Sequence, residues 1–211
     1  MDKKKVDFTL YFCTDRALMS CDTVEQSVLL AIDGGASVIQ LREKNLSSRD
    51  FYETALRVLN ITKPRGVPLI INDRLDICLA AGADGVHLGQ SDIPCAVARK
   101  ILGNDKIIGV SAHNPAEALK AQSDGADYLG VGAAFATSTK SDVTPVTPDI
   151  ISQIRAAVSI PFVVIGGVNE KNISQLYGLG INGAAVVSAI CAKPDIAAAA
   201  RKMRAAAEKL N

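Results

Sequence analysis

One pattern of apolar and polar positions recurs along the chain. A helix-like run closes on glycine and a small residue, and a short apolar stretch follows. It reads Asp33-Gly34-Gly35-Ala36-Ser37-Val38-Ile39-Gln40, then Ala81-Gly82-Ala83-Asp84-Gly85-Val86-His87-Leu88. Ser123-Asp124-Gly125-Ala126-Asp127-Tyr128-Leu129-Gly130 and Gly180-Ile181-Asn182-Gly183-Ala184-Ala185-Val186-Val187 repeat it. Glycine suits the positive φ at a helix end, and the apolar run behind it reads as a buried strand. With the remaining apolar runs, the pattern predicts strands near 8–13, 37–42, 68–72, 84–88, 107–111, 126–132, 161–166 and 183–188. Amphipathic helices are expected over 23–34, 47–62, 74–82, 94–102, 115–124, 147–157, 170–179 and 195–209. Parallel strands need crossover connections, so this alternation with short links argues a parallel sheet. An open doubly wound sheet would carry a glycine fingerprint after its first strand, where this chain has Cys13-Thr14-Asp15-Arg16. The expected architecture is α/β, a (βα)8 TIM barrel as a single domain over 1–211. The stretch 133–147, rich in Ser, Thr and Lys, reads as a long mobile loop after the sixth strand.

Composition narrows the classes. Hydrophobic residues are 48% of the 211, enough for a sizeable core, whereas aromatics are 4% with no Trp, which disfavours a base-stacking nucleic-acid binder. The 23 basic and 22 acidic residues leave a net charge of +1, so no general affinity for nucleic acid or anionic membrane is expected. No apolar run approaches the roughly 20 residues that a bilayer requires. Lys3 to Lys5 resemble the start of a signal peptide, but Asp7 and Asp15-Arg16 interrupt the apolar stretch behind them. Five cysteines without a CxxC spacing argue against a disulfide framework or zinc site and fit a reducing cytoplasm.

Chemistry in such barrels sits at the C-terminal ends of the strands. Strand 2 ends in Gln40-Leu41-Arg42-Glu43-Lys44, whose alternation puts Gln40, Arg42 and Lys44 on one side, either a solvated outer face or an anion site. Asp73 after strand 3 and Asp92 after strand 4 are within reach of one ion, and Mg²⁺ takes one or two carboxylates plus water and phosphate oxygens. The competing role for both is capping the helices that follow. His87 reads as a packed or hydrogen-bonded core residue. Ser111 and His113 invite a nucleophile reading, which is disfavoured because no acidic residue nearby stands out to orient the imidazole. Thr137-Ser138-Thr139-Lys140 offers hydroxyls and a cation, a local anion-binding set or an exposed flexible loop. Gly166-Gly167 after strand 7 and Ser188 after strand 8 suit a single phosphate held by main-chain N–H groups. Two anion clusters on one rim, with no strong base between them, suggest ionisation of a diphosphate and capture by a phosphorylated nucleophile.

These segments, with Ile71-Asn72-Asp73-Arg74, Gly85-Val86-His87-Leu88-Gly89-Gln90-Ser91-Asp92, Gly109-Val110-Ser111-Ala112-His113, Ile165-Gly166-Gly167 and Val187-Ser188, resemble the thiamine-phosphate synthase family in order and spacing. The resemblance implies a barrel that joins hydroxymethylpyrimidine diphosphate to hydroxyethylthiazole phosphate, releasing pyrophosphate and requiring Mg²⁺. It assigns Gln40, Arg42, Lys44, Asn72, Ser111 and Lys140 to the pyrimidine diphosphate, with Arg42, Lys44, Ser111 and Lys140 supporting catalysis. It assigns Asp73 and Asp92 to Mg²⁺, and Thr137, Thr139, Gly167, Val187 and Ser188 to the thiazole phosphate, with Ser138 beside them. The partners implied are these small molecules, and a homodimer is an open possibility. Where the family commonly has prolines, this chain has Ala133 and Ala136. The related thiazole tautomerase lacks the metal carboxylates and the Thr-x-Thr-Lys set, and a silent phosphate-binding regulator would have lost some of these charges. Asp73, Asp92 and Lys140 argue against both.

Overall fold

The computed structural model describes residues 3–136 and 145–210. Strands β1 (Leu10–Cys13), β2 (Val38–Leu41), β3 (Leu69–Asn72), β4 (Gly85–Leu88), β5 (Ile107–Ala112), β6 (Tyr128–Gly132), β7 (Phe162–Ile165) and β8 (Gly183–Val186) close into a parallel barrel. Each pairs with the next in sequence, and β1 closes the ring, with Tyr11 opposite Val38 of β2 and Ala185 of β8. Strands such as β1, β7 and β8 read as continuous apolar runs rather than alternating ones, because both faces of a barrel strand are buried.

The helices are α1 (Val24–Asp33), α2 (Ser48–Thr62), α3 (Leu75–Ala81), α4 (Cys95–Leu102), α5 (Pro115–Ser123), α6 (Pro148–Ala157), α7 (Ser188–Cys191) and α8 (Ile196–Ala207). Local chemistry starts several of them: the side chains of Thr23, Ser47, Asn114 and Asp195 accept a backbone N–H from the first turn of α1, α2, α5 and α8. Their apolar faces meet the outward strand residues, so Leu10 and Phe12 belong to the outer layer with Val28 and Val58. Tyr11 and Cys13 point the other way, into a lumen shared with Phe8, Val38, Ile70, Tyr128 and Val163. Among the described residues, no helix is long and apolar enough to cross a membrane.

All eight expected strands are present. One helical expectation needs correction, and one short helix was not expected. The stretch 170–179 is not an α-helix but holds one 3-10 turn, Ile173–Leu176. Asparagine side chains claim the backbone there: Asn172 Oδ1 accepts from Asn169 N at 2.8 Å, and both Asn169 and Asn172 donate to Gly167 O at 2.9 Å. Such local bonds compete with helix propagation, and Gly178 and Gly180 then adopt positive φ. The short helix α7 was missed because the apolar run of β8 continues through Val187 with no polar break before Ser188.

Candidate active site

The C-terminal end of the barrel opens into a cavity of about 730 Å³. Gln40, Arg42, Asn72, Ser111, Gly167, Val187 and Ser188 all line it, so most of the sequence-derived candidates among the described residues converge on one space. Strand β2 supplies two of them. Gln40 is buried in the lumen, with Nε2 donating to the Tyr11 hydroxyl at 2.9 Å, which excludes the outer-face alternative for this position. Arg42 holds its backbone N on Thr14 Oγ1 at 3.0 Å and its guanidinium on the Asp15 carboxylate at 3.2 Å.

Lys44, Asp73 and Asp92 lie apart from the cavity lining and form a cluster of their own. Lys44 Nζ pairs with Asp73 Oδ2, and Asp92 Oδ2 accepts from Gly89 N at 2.6 Å. Burial and the neighbouring Asp73 carboxylate push the Asp92 carboxyl above the usual carboxylate range, against the opposing pull of the Gly89 N–H and Lys44. A carboxylate whose ionisation is made costlier by a neighbouring carboxylate suits a cation between the two. Neither is a helix cap: α3 and α4 begin at Arg74 and Pro94 without side-chain capping bonds. Asp73 also has φ 61°, a left-handed conformation that is uncommon outside glycine and concentrates at functional sites. Among the described residues, no group of three or more His, Cys, Asp or Glu gathers to hold a metal. Two neighbouring carboxylates suit the donor set of an ion such as Mg²⁺, which takes few protein carboxylates and fills its shell with water and phosphate oxygens.

Residues that follow β7 and β8 form the opposite side of the cavity. Gly166, Gly167, Val187, Ser188 and Ala189 line it. Gly167 has φ 66°, and a Cβ there would lie 2.5 Å from Ala136 O. Its demand for glycine therefore comes from the loop after β6 as well as from any ligand. Ala133–Ala136 are fastened there by Ala134 N to Ile165 O at 2.8 Å and Phe135 N to Gly166 O at 3.0 Å. Thr137, Ser138, Thr139 and Lys140 lie outside the described residues, as does most of the expected mobile loop.

The cavity lining also holds two tyrosines, Tyr11 and Tyr128, that sequence reasoning did not assign. Tyr11 and Tyr128 hydroxyls meet at 2.7 Å, His87 Nδ1 lies 2.9 Å from Tyr128 Oη, and His87 Nε2 lies 3.0 Å from Ser111 Oγ. The signal was present: a tyrosine within an apolar strand must satisfy its hydroxyl when buried. His87 is hydrogen-bonded in the interior, as its sequence context suggested. An acidic partner for His113 does exist, contrary to expectation: Glu117 Oε2 sits 2.8 Å from its Nδ1. Yet the Ser111 hydroxyl is held by His87, so these three do not form a nucleophile relay. Burial pushes the Cys13 thiol, also in the lining, up to about 12, leaving it neutral and unreactive.

Fold and rim chemistry together place the chain among the (βα)8-barrel enzymes. Residues 10–190 match the family TMP-TENI, thiamine monophosphate synthase. Thiamine-phosphate synthase of Clostridium botulinum (strain Eklund 17B / Type B) is 54% identical over 209 residues, 99% of this chain and 98% of the relative. That of Ruminiclostridium cellulolyticum is 57% identical, covering 95% of this chain and 96% of the relative. The solved thiamine phosphate pyrophosphorylase from Pyrococcus furiosus superposes with a TM-score of 0.89 at 36% identity, covering 97% of this chain and 98% of that one. The chain belongs to the thiamine monophosphate synthase family.

Proposed function

We propose that this chain condenses 4-amino-5-hydroxymethyl-2-methylpyrimidine diphosphate with hydroxyethylthiazole phosphate by ionising the diphosphate first, with Mg²⁺ held at Asp73 and Asp92. As a member of its family the chain is a transferase of thiamine biosynthesis, forming thiamine phosphate and releasing pyrophosphate. The observation that carries the mechanism is the Lys44–Asp73–Asp92 cluster beside a cavity whose near wall presents Arg42. Bound Mg²⁺ would neutralise charge building on the departing pyrophosphate. Arg42 and Lys44 add fixed positive charge toward the same leaving group, and Lys140 joins them on this reading. Asn72 and Ser111 orient the diphosphate, and Gln40 holds the pyrimidine at the floor. The amino group of the pyrimidine spreads the positive charge left on its exocyclic carbon, and the thiazole nitrogen captures that carbon. No proton has to leave before the bond forms, so the site works by charge placement and orientation.

On this reading Gly167, Val187, Ser188, Thr137 and Thr139, with Ser138, hold the thiazole phosphate. Gly167→Ala is expected to raise KM for the thiazole phosphate about tenfold, since the new Cβ displaces loop backbone and adds roughly 1–2 kcal/mol of left-handed strain. Separate KM values for the two substrates, measured beside a melting curve, check it. An unchanged thiazole-phosphate KM would remove Gly167 from that subsite.

Electronic substitution of the pyrimidine tests the ionising step. Replacing its 2-methyl group with trifluoromethyl withdraws charge from the forming cation and is expected to slow turnover by orders of magnitude. Direct displacement by the thiazole would leave the rate of that analogue close to that of the natural substrate.

A further inference from the structure

The polar groups on the cavity floor have a direction. Gln40 Nε2, Tyr11 Oη, Tyr128 Oη, His87 Nδ1 and Nε2, and Ser111 Oγ are linked in order at 2.9, 2.7, 2.9 and 3.0 Å. They come from β2, β1, β6, β4 and β5, so the chain of bonds crosses the lumen. An amide nitrogen only donates, so the Tyr11 oxygen accepts from Gln40, and among the described residues Tyr128 Oη is the acceptor that its buried proton reaches. Tyr128 then turns its own proton on His87 Nδ1. A neutral imidazole that accepts at Nδ1 carries its proton on Nε2, which donates to Ser111 Oγ. The Ser111 proton is left to point elsewhere, and Ser111 lines the cavity.

We infer that Gln40, Tyr11, Tyr128 and His87 form a one-way hydrogen-bond relay that fixes the Ser111 hydroxyl as a donor to an acceptor atom of the pyrimidine diphosphate. The identity of that acceptor rests on the function proposed above; the direction of the relay does not. Tyr11, Tyr128 and His87 are positioning residues, acting through Ser111. Two glycines seat the rings: a Cβ on Gly109 would fall 2.1 Å from Tyr128 Cζ, and one on Gly130 would fall 2.9 Å from His87 Cε1. Phe8 packs on the Tyr128 ring at 4.8 Å between centroids, so the phenol is held from below. Burial pushes both phenols well above their ordinary range, which keeps them protonated and able to donate.

The two histidines of the chain make the direction measurable in ligand-free wild-type protein by ¹⁵N NMR of the imidazoles. His87 is expected to carry its proton on Nε2, with Nδ1 at the downfield position of an accepting nitrogen. His113, which faces the Glu117 carboxylate through Nδ1, is expected to be protonated at Nδ1. Spectra of His113→Gln assign the two sets. A proton on Nδ1 of His87, in either the other tautomer or the imidazolium, would overturn the relay.

Kinetics give the second arm. Tyr128→Phe keeps the ring and removes the link, and is expected to lower kcat/KM for the pyrimidine diphosphate about tenfold, the upper end for one hydrogen bond between neutral groups. Ser111→Ala added to it is expected to cost little more than Ser111→Ala alone, because the hydroxyl has already lost its orientation. Multiplying losses would show Tyr128 acting independently of Ser111 and overturn the relay. The NMR arm decides even if Tyr128→Phe does not fold. A wild-type protein that fails to make thiamine phosphate would defeat the functional reading while leaving the tautomers to be read.

Discussion

Asp73→Asn and Asp92→Asn are each expected to lower kcat by roughly 10²- to 10³-fold, the scale of losing one preorganised electrostatic element, with the fold intact. The substitutions are close to isosteric, and the structure shows why the backbone tolerates both. Asparagine adopts the left-handed conformation of position 73, φ 61°, more readily than most residues. At position 92 an amide oxygen still accepts from Gly89 N, which the Asp92 carboxylate holds at 2.6 Å. Neither carboxylate caps a helix, so α3 and α4 keep their starts. What disappears is charge. Turnover measured across a Mg²⁺ series should recover partly at high concentration, because substrate oxygens still contribute to the ion's shell. Near-normal turnover of either variant in EDTA would contradict the metal assignment.

Arg42→Gln is expected to lower kcat/KM for the pyrimidine diphosphate about 100-fold, as losing a charge-assisted bond of roughly 1.5–3 kcal/mol implies. The guanidinium reaches the cavity from a backbone pinned on Thr14, and Asp15 fixes one of its nitrogens. Removing it leaves the Asp15 carboxylate, 13% exposed, with its charge turned toward an incoming polyanion. Damage should therefore fall on the diphosphate side. Initial rates with each substrate varied in turn check this, with KM for the thiazole phosphate expected to stay within about twofold, inside the range of ordinary surface changes. Equal losses for both substrates would contradict the division of the cavity into two anion subsites.

Both predictions depend on residues legible in the sequence, and the reasons they were legible are physical. The strands of a closed parallel barrel are buried on both faces, so Leu10–Cys13 and Phe162–Ile165 stand out as unbroken apolar runs. Charged residues just after a strand, Arg42 and Asp73 among them, have to lie at its end. Side-chain competition for the backbone was not legible in the same way. Asn169 and Asn172 replaced an expected helix with a 3-10 turn because their amides bind Gly167 O, a contact no periodicity reveals. The floor was hidden for another reason. Tyr11 and Tyr128 are 117 residues apart and meet only through barrel closure, so their hydroxyl bond could not be read locally. Glycines 109 and 130 make room for the rings of Tyr128 and His87, a packing demand that no local pattern displays.

The most direct measurement is a single incubation of the purified protein with both substrates, followed for thiamine phosphate and pyrophosphate in the presence of Mg²⁺ and again in EDTA. The account predicts equal amounts of the two products with Mg²⁺ and loss of both in EDTA. Pyrophosphate release without thiamine phosphate, or product formation indifferent to EDTA, would contradict it.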